Sequence, residues 1–391
     1  MKNLRPSRIK KGLSYLRREG FAATLRRYRA SGATNPDPKI AYQNWILNHE
    51  PKYSDLQEQK KKKFEYNPLI SIVVPTYNTK KQYLEELLDS LEQQTYKNWE
   101  LCIADGNSDN KKEIEEIICK NSKIKYVMLD ENKNISGNTN EALKLCTGEY
   151  IGLLDHDDTL APFCLYEVVK ALNEDRSTDV IYSDEDKFTT VNGARFQPHF
   201  KPDFSPDYLR SINYITHFFV IKKTLMDKLG GFIDEYNGAQ DYDLILRATE
   251  IAEKIVHIPK VLYHWRVHEN STAMDVAAKQ YVIDAGKKAV EAHIKRMNMP
   301  GEVSSLDNKS IYRVRFEVDD EEKISIIIPN KDHVDDLKKC INSILTRSTY
   351  SNYEIVVIEN NSTHTSIFNY YKKLEKHNKI KVIYYEGDFN Y

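Results

Sequence analysis

The chain has 391 residues, of which 40% are hydrophobic and 29% charged, and its formal net charge at pH 7 is −1. This composition excludes a disordered chain, and the balanced charge gives no reason to expect nucleic acid as a partner. No stretch approaches the roughly 20 apolar residues needed to cross a bilayer. The five cysteines lack CxxC spacing and indicate reduced thiols in a cytoplasmic protein.

Residues 1–66 form a basic region that the apolar spacing predicts to be helical. Ten Lys or Arg fall within the first thirty residues against one acid, Glu19, and apolar residues recur at i, i+4, i+7 from Ile9. A narrow apolar stripe edged by basic side chains is typical of a helix on an anionic membrane surface. A solvated helix packed on the next domain has the same pattern. The lysine run 60–63 is typical of a solvated linker, with a lipid-headgroup contact as the second interpretation.

From Leu69 onward, apolar runs alternate with helical periodicity. The run 69–75 is rich in β-branched residues, as expected for a strand buried on both faces. Further strands are expected at 100–105, 124–128 and 149–155, and helices at 81–94, 111–120 and 138–145. The alternation predicts an α/β fold with a mostly parallel central sheet flanked by helices, whose ligands bind at the carboxyl ends of the strands.

The front half of this pattern occurs a second time. The sequence ISIVVP at 70–75 returns as ISIIIP at 324–329, and the same offset of 254 carries Ser108 onto Ser362. A match of this length without a gap predicts a second α/β repeat.

The second repeat has no room for the whole pattern, because the counterpart of Asp155 would lie beyond Tyr391. We therefore expect a catalytic domain over 67–300, after the basic region 1–66. A linker and a truncated second repeat, catalytically inert, are expected over 301–391.

The sequence DHDD places Asp155, Asp157 and Asp158 at the end of an apolar strand. Three carboxylates within four residues repel one another unless a cation lies among them. Hard divalent ions such as Mn²⁺ or Mg²⁺ suit clustered carboxylate oxygens, with water and phosphate completing the shell. Acidic turns are common at strand ends, but the position after a buried parallel-type strand favours a metal site.

Two other strand ends carry polar groups. The first strand ends in hydroxyl, aromatic and amide groups suited to a base and ribose, namely Pro75, Thr76, Tyr77 and Asn78. The second ends in Asp105, whose carboxylate can accept a hydrogen bond from a pyrimidine N–H. Each segment alone is typical of an ordinary turn, yet together they place three polar loops on one edge of the sheet.

Downstream acids and bases supply the remaining chemistry. Asp241 and Asp243 begin a helical segment, where the helix dipole favours carboxylates; capping suits Asp243, whereas we expect Asp241 to be a general base for an acceptor hydroxyl. Of the nearby His264, Arg266 and His268, a histidine could complete the metal shell and the arginine could hold a diphosphate.

These motifs together resemble the family-2 glycosyltransferases over about residues 69–273. The resemblance is carried by five segments: SIVVPTYN (71–78), ADGNSD (104–109), GEYIGLLDHDD (148–158), GGF (230–232) and QDYDLILR (240–247). It implies a GT-A fold and metal-dependent inverting transfer from a nucleotide-sugar donor.

The resemblance also implies roles for individual residues. The nucleotide would be bound by Pro75, Thr76, Tyr77, Asn78, Asp105 and Asp155. Asp155 and Asp157 would form the DXD element that holds the ion, with His268 as a further ligand; Asp241 would be the catalytic base. Asp158, His264 and Arg266 are further candidates for the shell around the diphosphate or metal.

The segments YSDEDK (182–187) and FKPDFSPDYL (200–209) resemble a bacterial subgroup, often with tandem domains, that builds O-antigen, capsular or wall polysaccharides. This implies a UDP-sugar or dTDP-rhamnose donor and a growing polysaccharide or lipid-linked glycan acceptor. The basic N-terminal helices predict a cytoplasmic location at the inner face of the cell membrane. Two departures from the family pattern are Gly106, where relatives carry a second acid, and Gln240 before Asp241.

Two other functions use similar features. A sugar nucleotidyltransferase has a related sheet, but needs a glycine-rich loop where this chain has PTYN. A non-catalytic nucleotide- or carbohydrate-binding scaffold would suit the incomplete second repeat. The intact DHDD and QDYD sequences of the first repeat argue against that interpretation.

Overall fold

The computed structural model describes residues 38–118, 121–189, 193–267, 276–317 and 322–388. The chain divides into two compact units, Met1–Arg315 and Phe316–Tyr391. The helix predicted from Ile9 lies outside the described residues. Within these ranges, no helix has both the length and the apolar character required to span a bilayer.

The first unit alternates strands with helices, as the sequence predicts. Its helices are α1 (Pro38–His49), α2 (Tyr53–Lys61), α3 (Lys81–Glu92), α4 (Lys111–Ile118), α5 (Asn134–Leu143), α6 (Cys164–Glu174), α7 (Pro206–Ser211), α8 (Lys223–Leu229), α9 (Gln240–Ile251) and α10 (Val276–Arg296). Its strands are β1 (Ile70–Thr76), β2 (Trp99–Asp105), β3 (Ile124–Met128), β4 (Tyr150–Leu153), β5 (Thr159–Leu160), β6 (Val180–Thr189), β7 (Arg195–His199), β8 (Phe219–Lys222) and β9 (Ile255–Val267).

These nine strands form one sheet in the order β3-β2-β1-β4-β8-β6-β9-β5, with β7 paired to β6. β1 pairs in parallel with β2 and β4, β2 with β3, and β6 with β9. β8 lies antiparallel between β4 and β6, so β6 and β9 run in the same direction as the first four strands. The predicted α/β fold with a mostly parallel sheet flanked by helices is therefore confirmed.

Helices cover both faces of this sheet because its central strands are apolar on both sides. Ile72 and Val74 of β1 belong to a core shared with α3, α4 and α6. Val73, which points to the opposite face, belongs to a core shared with α5, α8, α9 and α10. The two faces together keep β1 and β2 buried along nearly their whole length.

The second repeat folds as the internal match predicts. After a two-stranded sheet of β10 (Gly301–Ser305) and β11 (Tyr312–Phe316), it contains β12 (Ile324–Asn330), α11 (Val334–Arg347), β13 (Tyr353–Glu359), α12 (Thr365–Leu374) and β14 (Ile380–Tyr384). The three strands β12, β13 and β14 form a parallel sheet. A partial second α/β repeat is thus confirmed.

Candidate active site

The strand ends of the first unit meet at one edge of the sheet. β1 is paired in parallel register with β2, Thr76 opposite Asp105, and with β4, Val73 opposite Leu153. A narrow cleft, open to solvent, lies beside these ends. Five parts of the chain contribute Pro75 and the polar groups that line it: Pro75, Thr139, Asp155, Thr216 with His217, and Gln240 with Asp241.

Asp155 stands at the cleft directly after β4. Its side chain is 45% exposed, and its Oδ2 atom lies 3.7 Å from Nε2 of His217. The backbone N–H of Asp155 is held by the hydroxyl of Tyr263 at 3.3 Å. The carboxylate is therefore available to a ligand while its backbone is fixed by β9.

Asp241 faces the same cleft from the first turn of α9, far along the chain from Asp155. Asn213 donates a hydrogen bond to its Oδ2 atom at 2.9 Å, which fixes the orientation of the carboxylate. Burial raises the pKa of Asp241, and the charge of Asp155 adds to this, whereas His217 and the N–H of Tyr242 act in the opposite direction. A carboxylate with a raised pKa is a better proton acceptor than an ordinary one.

His217 is a cleft residue that the sequence analysis missed. Its ring stacks on Tyr263, with centroids 4.4 Å apart, and meets the edge of Trp265 at 6.2 Å. It lies beside Asp155 and influences the pKa of Asp241. The segment YITHF carries no motif or periodicity that singles out this histidine, so only the fold reveals its position.

A buried ion pair holds the segment that presents His217. Nζ of Lys201 lies 3.2 Å from Oε2 of Glu185 and donates to the carbonyl groups of Ile215, at 2.6 Å, and His217. Oε2 of Glu185 accepts hydrogen bonds from the Thr216 hydroxyl at 2.9 Å and from the His217 N–H at 3.2 Å. Although burial acts to raise it, the pKa of Glu185 is lowered to about 2, chiefly by Lys201.

The predicted nucleoside-binding residue Asp105 is fully buried. It accepts hydrogen bonds from the Thr76 hydroxyl at 2.8 Å and from the N–H and hydroxyl of Ser108 at 2.6 and 2.7 Å. Both carboxylate oxygens are therefore used within the loop. A side chain added at Gly106 would meet Nδ2 of Asn138 at 2.6 Å, which explains the absence of a second acid there.

The four residues of the PTYN segment occupy different environments. Pro75 lines the cleft, Thr76 is buried against Asp105, and Tyr77 is exposed. Asn78 has a positive φ of 50°, and its N–H donates to the Ser108 hydroxyl at 2.7 Å. The first two polar loops are thus joined by hydrogen bonds, with the Tyr77 ring free to face solvent.

Asp158, a candidate for the diphosphate or metal shell, has no exposed surface. It accepts hydrogen bonds from the Tyr263 hydroxyl at 2.5 Å and from the Arg266 N–H at 2.7 Å. Burial raises its pKa well above the ordinary range, and the charges of Asp155 and Asp157 raise it further. The structure gives Asp158 the role of anchoring the DHDD loop to β9.

Arg266 and His264, two other candidates, are also buried. The guanidinium of Arg266 lies over the ring of Tyr83 at 4.5 Å, pairs with Glu86 at 2.6 Å and donates to the carbonyl of Asp157. Nδ1 of His264 lies 2.6 Å from Oδ1 of Asp186. The Arg266 contact with Asp157 supports the DHDD loop, and the His264 contact joins β9 to β6. Neither side chain belongs to the cleft lining.

The donor set at the cleft fits a hard divalent cation held by few protein ligands. Asp155, which lines the cleft, offers carboxylate oxygens of the type preferred by Mn²⁺ and Mg²⁺, with water and phosphate to complete the shell. Asp157 follows two residues later in the same loop. Among the described residues, no group of three His, Cys, Asp or Glu side chains is placed to hold a metal ion. His268, the other predicted ligand, lies outside the described residues.

Comparisons with known proteins agree with this architecture. The sequence profile described as "Glycosyl transferase family 2" matches residues 71–232 and 325–390, more than half of the chain. The chain is 32% identical over 85% of its length to "O-antigen biosynthesis protein RfbC" of Myxococcus xanthus. It is 26% identical over 83% to "Chondroitin synthase" of Pasteurella multocida. It spans only 26% and 35% of the lengths of these two relatives.

A solved structure, S. aureus TarS 1–349 in complex with UDP-GlcNAc, aligns with 57% of this chain and 66% of its own. The identity is 21% and the TM-score 0.48. The family profile covers parts of both repeats, including the cleft residues Pro75, Asp155 and His217, and its match to the first repeat ends before Asp241. The chain belongs to glycosyltransferase family 2.

Proposed function

We propose that the first unit transfers a sugar, with inversion, from a nucleotide-sugar donor to the hydroxyl of a growing glycan. One observation carries this proposal: Asp155 and Asp241, which are distant in sequence, line the same cleft. A group for the leaving diphosphate and a base for the incoming alcohol are both needed for direct displacement, and this cleft offers one of each.

Asp241 is the proposed general base. The acceptor hydroxyl gives its proton to the Asp241 carboxylate and attacks the anomeric carbon, while the bond to the nucleoside diphosphate breaks. A single displacement inverts the anomeric centre. The Asn213 hydrogen bond at 2.9 Å supports this role, because it fixes the orientation of the carboxylate at the cleft.

The proposed nucleotide site comprises the PTYN segment, Asp105 and Asp155. The exposed Tyr77 ring suits stacking with a base, and Asp105 acts by holding the two loops together. Asp155 and Asp157, with His268, would hold a divalent cation, whose chemistry when bound is to neutralise charge on the leaving diphosphate. His217, beside Asp155, is proposed to orient that carboxylate.

Donor and acceptor are proposed from the relatives. O-antigen biosynthesis and chondroitin synthesis, the activities in the relatives' names, both concern polysaccharides. We accordingly propose a UDP-sugar or dTDP-rhamnose as donor and a polysaccharide or lipid-linked glycan as acceptor. The proposed location is the cytoplasm, at the inner face of the cell membrane, with contact through the basic N-terminal region.

The test compares Asp241→Asn with Asp227→Asn, an exposed control on α8. Each protein is incubated with a panel of UDP-sugars and dTDP-rhamnose plus Mn²⁺, and release of the nucleoside diphosphate is measured, with water taking the place of the acceptor hydroxyl. Loss of a general base should lower transfer about 10²–10⁴-fold. Donor binding, measured as a thermal shift, should persist in Asp241→Asn because the proposed nucleotide contacts remain.

Retained transfer by Asp241→Asn would remove this residue from the role of base. A wild-type protein that is stabilised by a donor, yet turns over none of the panel with or without EDTA, would instead be a binding scaffold.

A further inference from the structure

A second concave site lies at the opposite edge of the sheet from the cleft. Its lining comes from the end of α2, the segment leading to β1, the turn before β2, and α6, and it encloses about 1020 Å³ of solvent-open space. Asn67 and Asn98, in this lining, precede β1 and β2, whereas the catalytic loops follow them. Seven residues of strand separate the two edges by roughly 20 Å. We call this site the basic groove.

The groove carries positive charge that the protein does not neutralise. Lys60, Lys62, Lys63 and Lys97 line it, and within the described residues none of them forms an ion pair with a carboxylate. The ammonium group of Lys97 donates instead to the backbone carbonyl of Glu92. Because four ammonium groups share one concavity, an anion placed there gains attraction from several of them at once.

The lysine charges at the groove affect the pKa of Lys97. Burial lowers the pKa of Lys97; Glu92 partly opposes this, and the charges of Lys123 and Lys60 lower it further. Of the other acids nearby, Glu65 is paired with Arg176 at 2.6 Å. The groove is therefore an electropositive site in a chain whose overall formal charge is −1.

Aromatic rings form one wall of the groove. Phe64 packs against Tyr166 and Tyr96, with ring centroids 5.1 and 6.2 Å apart. The Tyr96 hydroxyl donates to the Pro68 carbonyl at 2.5 Å, which fixes the wall. Aromatic rings next to lysines are typical of protein surfaces at the headgroup level of a membrane.

We propose that the basic groove binds the phosphate of an anionic phospholipid headgroup. Lysine is a point-charge ligand for phosphate, and four lysines around one concavity match a phosphate-bearing anion. The groove lysines at 60–63 follow the strongly basic residues 1–37 in the sequence. The same chemistry would accept a soluble phosphate, and the experiment separates the two sources.

The test uses the full chain and vesicles of phosphatidylcholine with or without phosphatidylglycerol. A K60Q/K63Q/K97Q variant is compared with K372Q/K373Q/K376Q, which removes the same charge from exposed lysines of the second unit. Each lysine at an anionic surface contributes about fivefold to binding, so the groove variant should partition on the order of 100-fold more weakly. The control should bind like the wild type, and donor hydrolysis in solution should be unchanged in both.

Three outcomes would overturn the proposal. Equal loss in both variants would show dependence on net charge alone, and wild-type binding by the groove variant would assign the membrane contact to another part of the chain. Binding of inorganic phosphate that depends on the three groove lysines, without vesicle binding, would assign the site to a soluble ligand and reject the lipid. Thermal unfolding of each variant checks that folding is intact.

Discussion

The segment that begins at Ile70 and the one that begins at Ile324 have the same strand pairing and the same loop. β1 pairs with β2, and β12 with β13, between residues 29 apart in both repeats. The Asn78 N–H donates to the Ser108 hydroxyl at 2.7 Å, and the Asp332 N–H donates to the Ser362 hydroxyl at 2.9 Å. Glu359 also accepts from Ser362, as Asp105 does from Ser108.

The two repeats differ in the strands and helices that pack against β1 and β12. Val73 of β1 is 1% exposed, whereas its counterpart Ile327 of β12 is 67% exposed. In the first unit β4 and α5 pack against β1, and they also lead to Asp155 and the cleft. The comparison teaches that the polar loop after β1 and β2 is a property of this fold, whereas the cleft needs β4, α9 and the segment that carries His217.

The largest expected effect is a difference in transfer rate between a substitution in the first repeat and one in the second. Asp155→Asn should lower transfer about 10²–10³-fold, because a proposed ligand of the cation that would neutralise the leaving diphosphate is lost. Glu359→Gln, at the corresponding edge of the second repeat, should leave transfer unchanged if that repeat is inert. Initial rates at saturating Mn²⁺ measure both.

Loss of transfer in Glu359→Gln would contradict the inertness of the second repeat. Titration with Mn²⁺ sharpens the result further. Asp155→Asn should need more Mn²⁺ for the activity that remains, whereas Glu359→Gln should follow the wild-type curve.

The second prediction concerns the buried Lys201–Glu185 pair that holds the His217 segment. The described part of the second repeat contains no counterpart of this pair. Lys201→Met leaves Glu185 buried without its lysine partner, and should lower the free energy of unfolding by about 3–5 kcal/mol. Lys223→Met removes an exposed pair with Asp227 and should cost less than about 1 kcal/mol. Urea denaturation of the first unit measures both changes.

A double variant, Glu185→Met with Lys201→Met, tests the cause. Because replacing both charges by apolar groups avoids a lone buried charge, it should recover part of the lost stability. If the double variant is no more stable than Lys201→Met alone, hydrogen bonds to the His217 segment dominate over the charge pair.

Much of this architecture was predictable from sequence, because it depends on local periodicity. The apolar runs before Pro75, Asp105 and Asp155 predict buried parallel strands, and parallel strands bring their carboxyl ends to one edge. The convergence of Asp155 and Asp241 on one cleft agrees with that expectation. Their chemical roles remain predictions.

Other parts depend on which face of a strand a side chain occupies. On β9, Tyr263 and Trp265 lie against His217, whereas the alternate residues His264 and Arg266 contact Asp186 and Glu86 on the other side. The spacing within YHWRVH does not determine which face of the strand points to the cleft. The sequence therefore allowed the prediction that His264 and Arg266 lie near the diphosphate. The sequence analysis did not single out His217 or Lys201, because their contacts are with residues distant in the sequence.

The third prediction tests the difference in burial. Val73→Ala should lower the free energy of unfolding of the first unit by about 2 kcal/mol, since it leaves a cavity between β1 and α5. Ile327→Ala should change the stability of the second unit by no more than about 0.5 kcal/mol, because that side chain is largely exposed. Separate fluorescence probes in each unit report the two transitions. A large loss in Ile327→Ala would mean that the exposed face is covered in solution.

The smallest effect is a gain in stability. Burial raises the pKa of Asp241 above its ordinary value of 3.8, so ionising this group costs more in the folded than in the unfolded state. Its favourable contribution is complete below pH 3.8 and is lost as the pH rises through the folded-state pKa. Asp241→Asn should therefore be more stable than the wild type at neutral pH, on the order of 1 kcal/mol, as is usual when a strained functional group is removed.

The matched control lies on the same helix. Asp243 is buried and pairs with Arg247 at 2.6 Å, so Asp243→Asn should be less stable than the wild type. The advantage of Asp241→Asn should disappear as the pH falls below 3.8, where the wild-type carboxyl is protonated in both states. If Asp241→Asn instead loses stability at neutral pH, its hydrogen bond with Asn213 outweighs the cost of burying the charge. Asp241 would then be a structural carboxylate like Asp243, and the proposed contrast between a catalytic cleft and an inert second repeat would lose its strongest support.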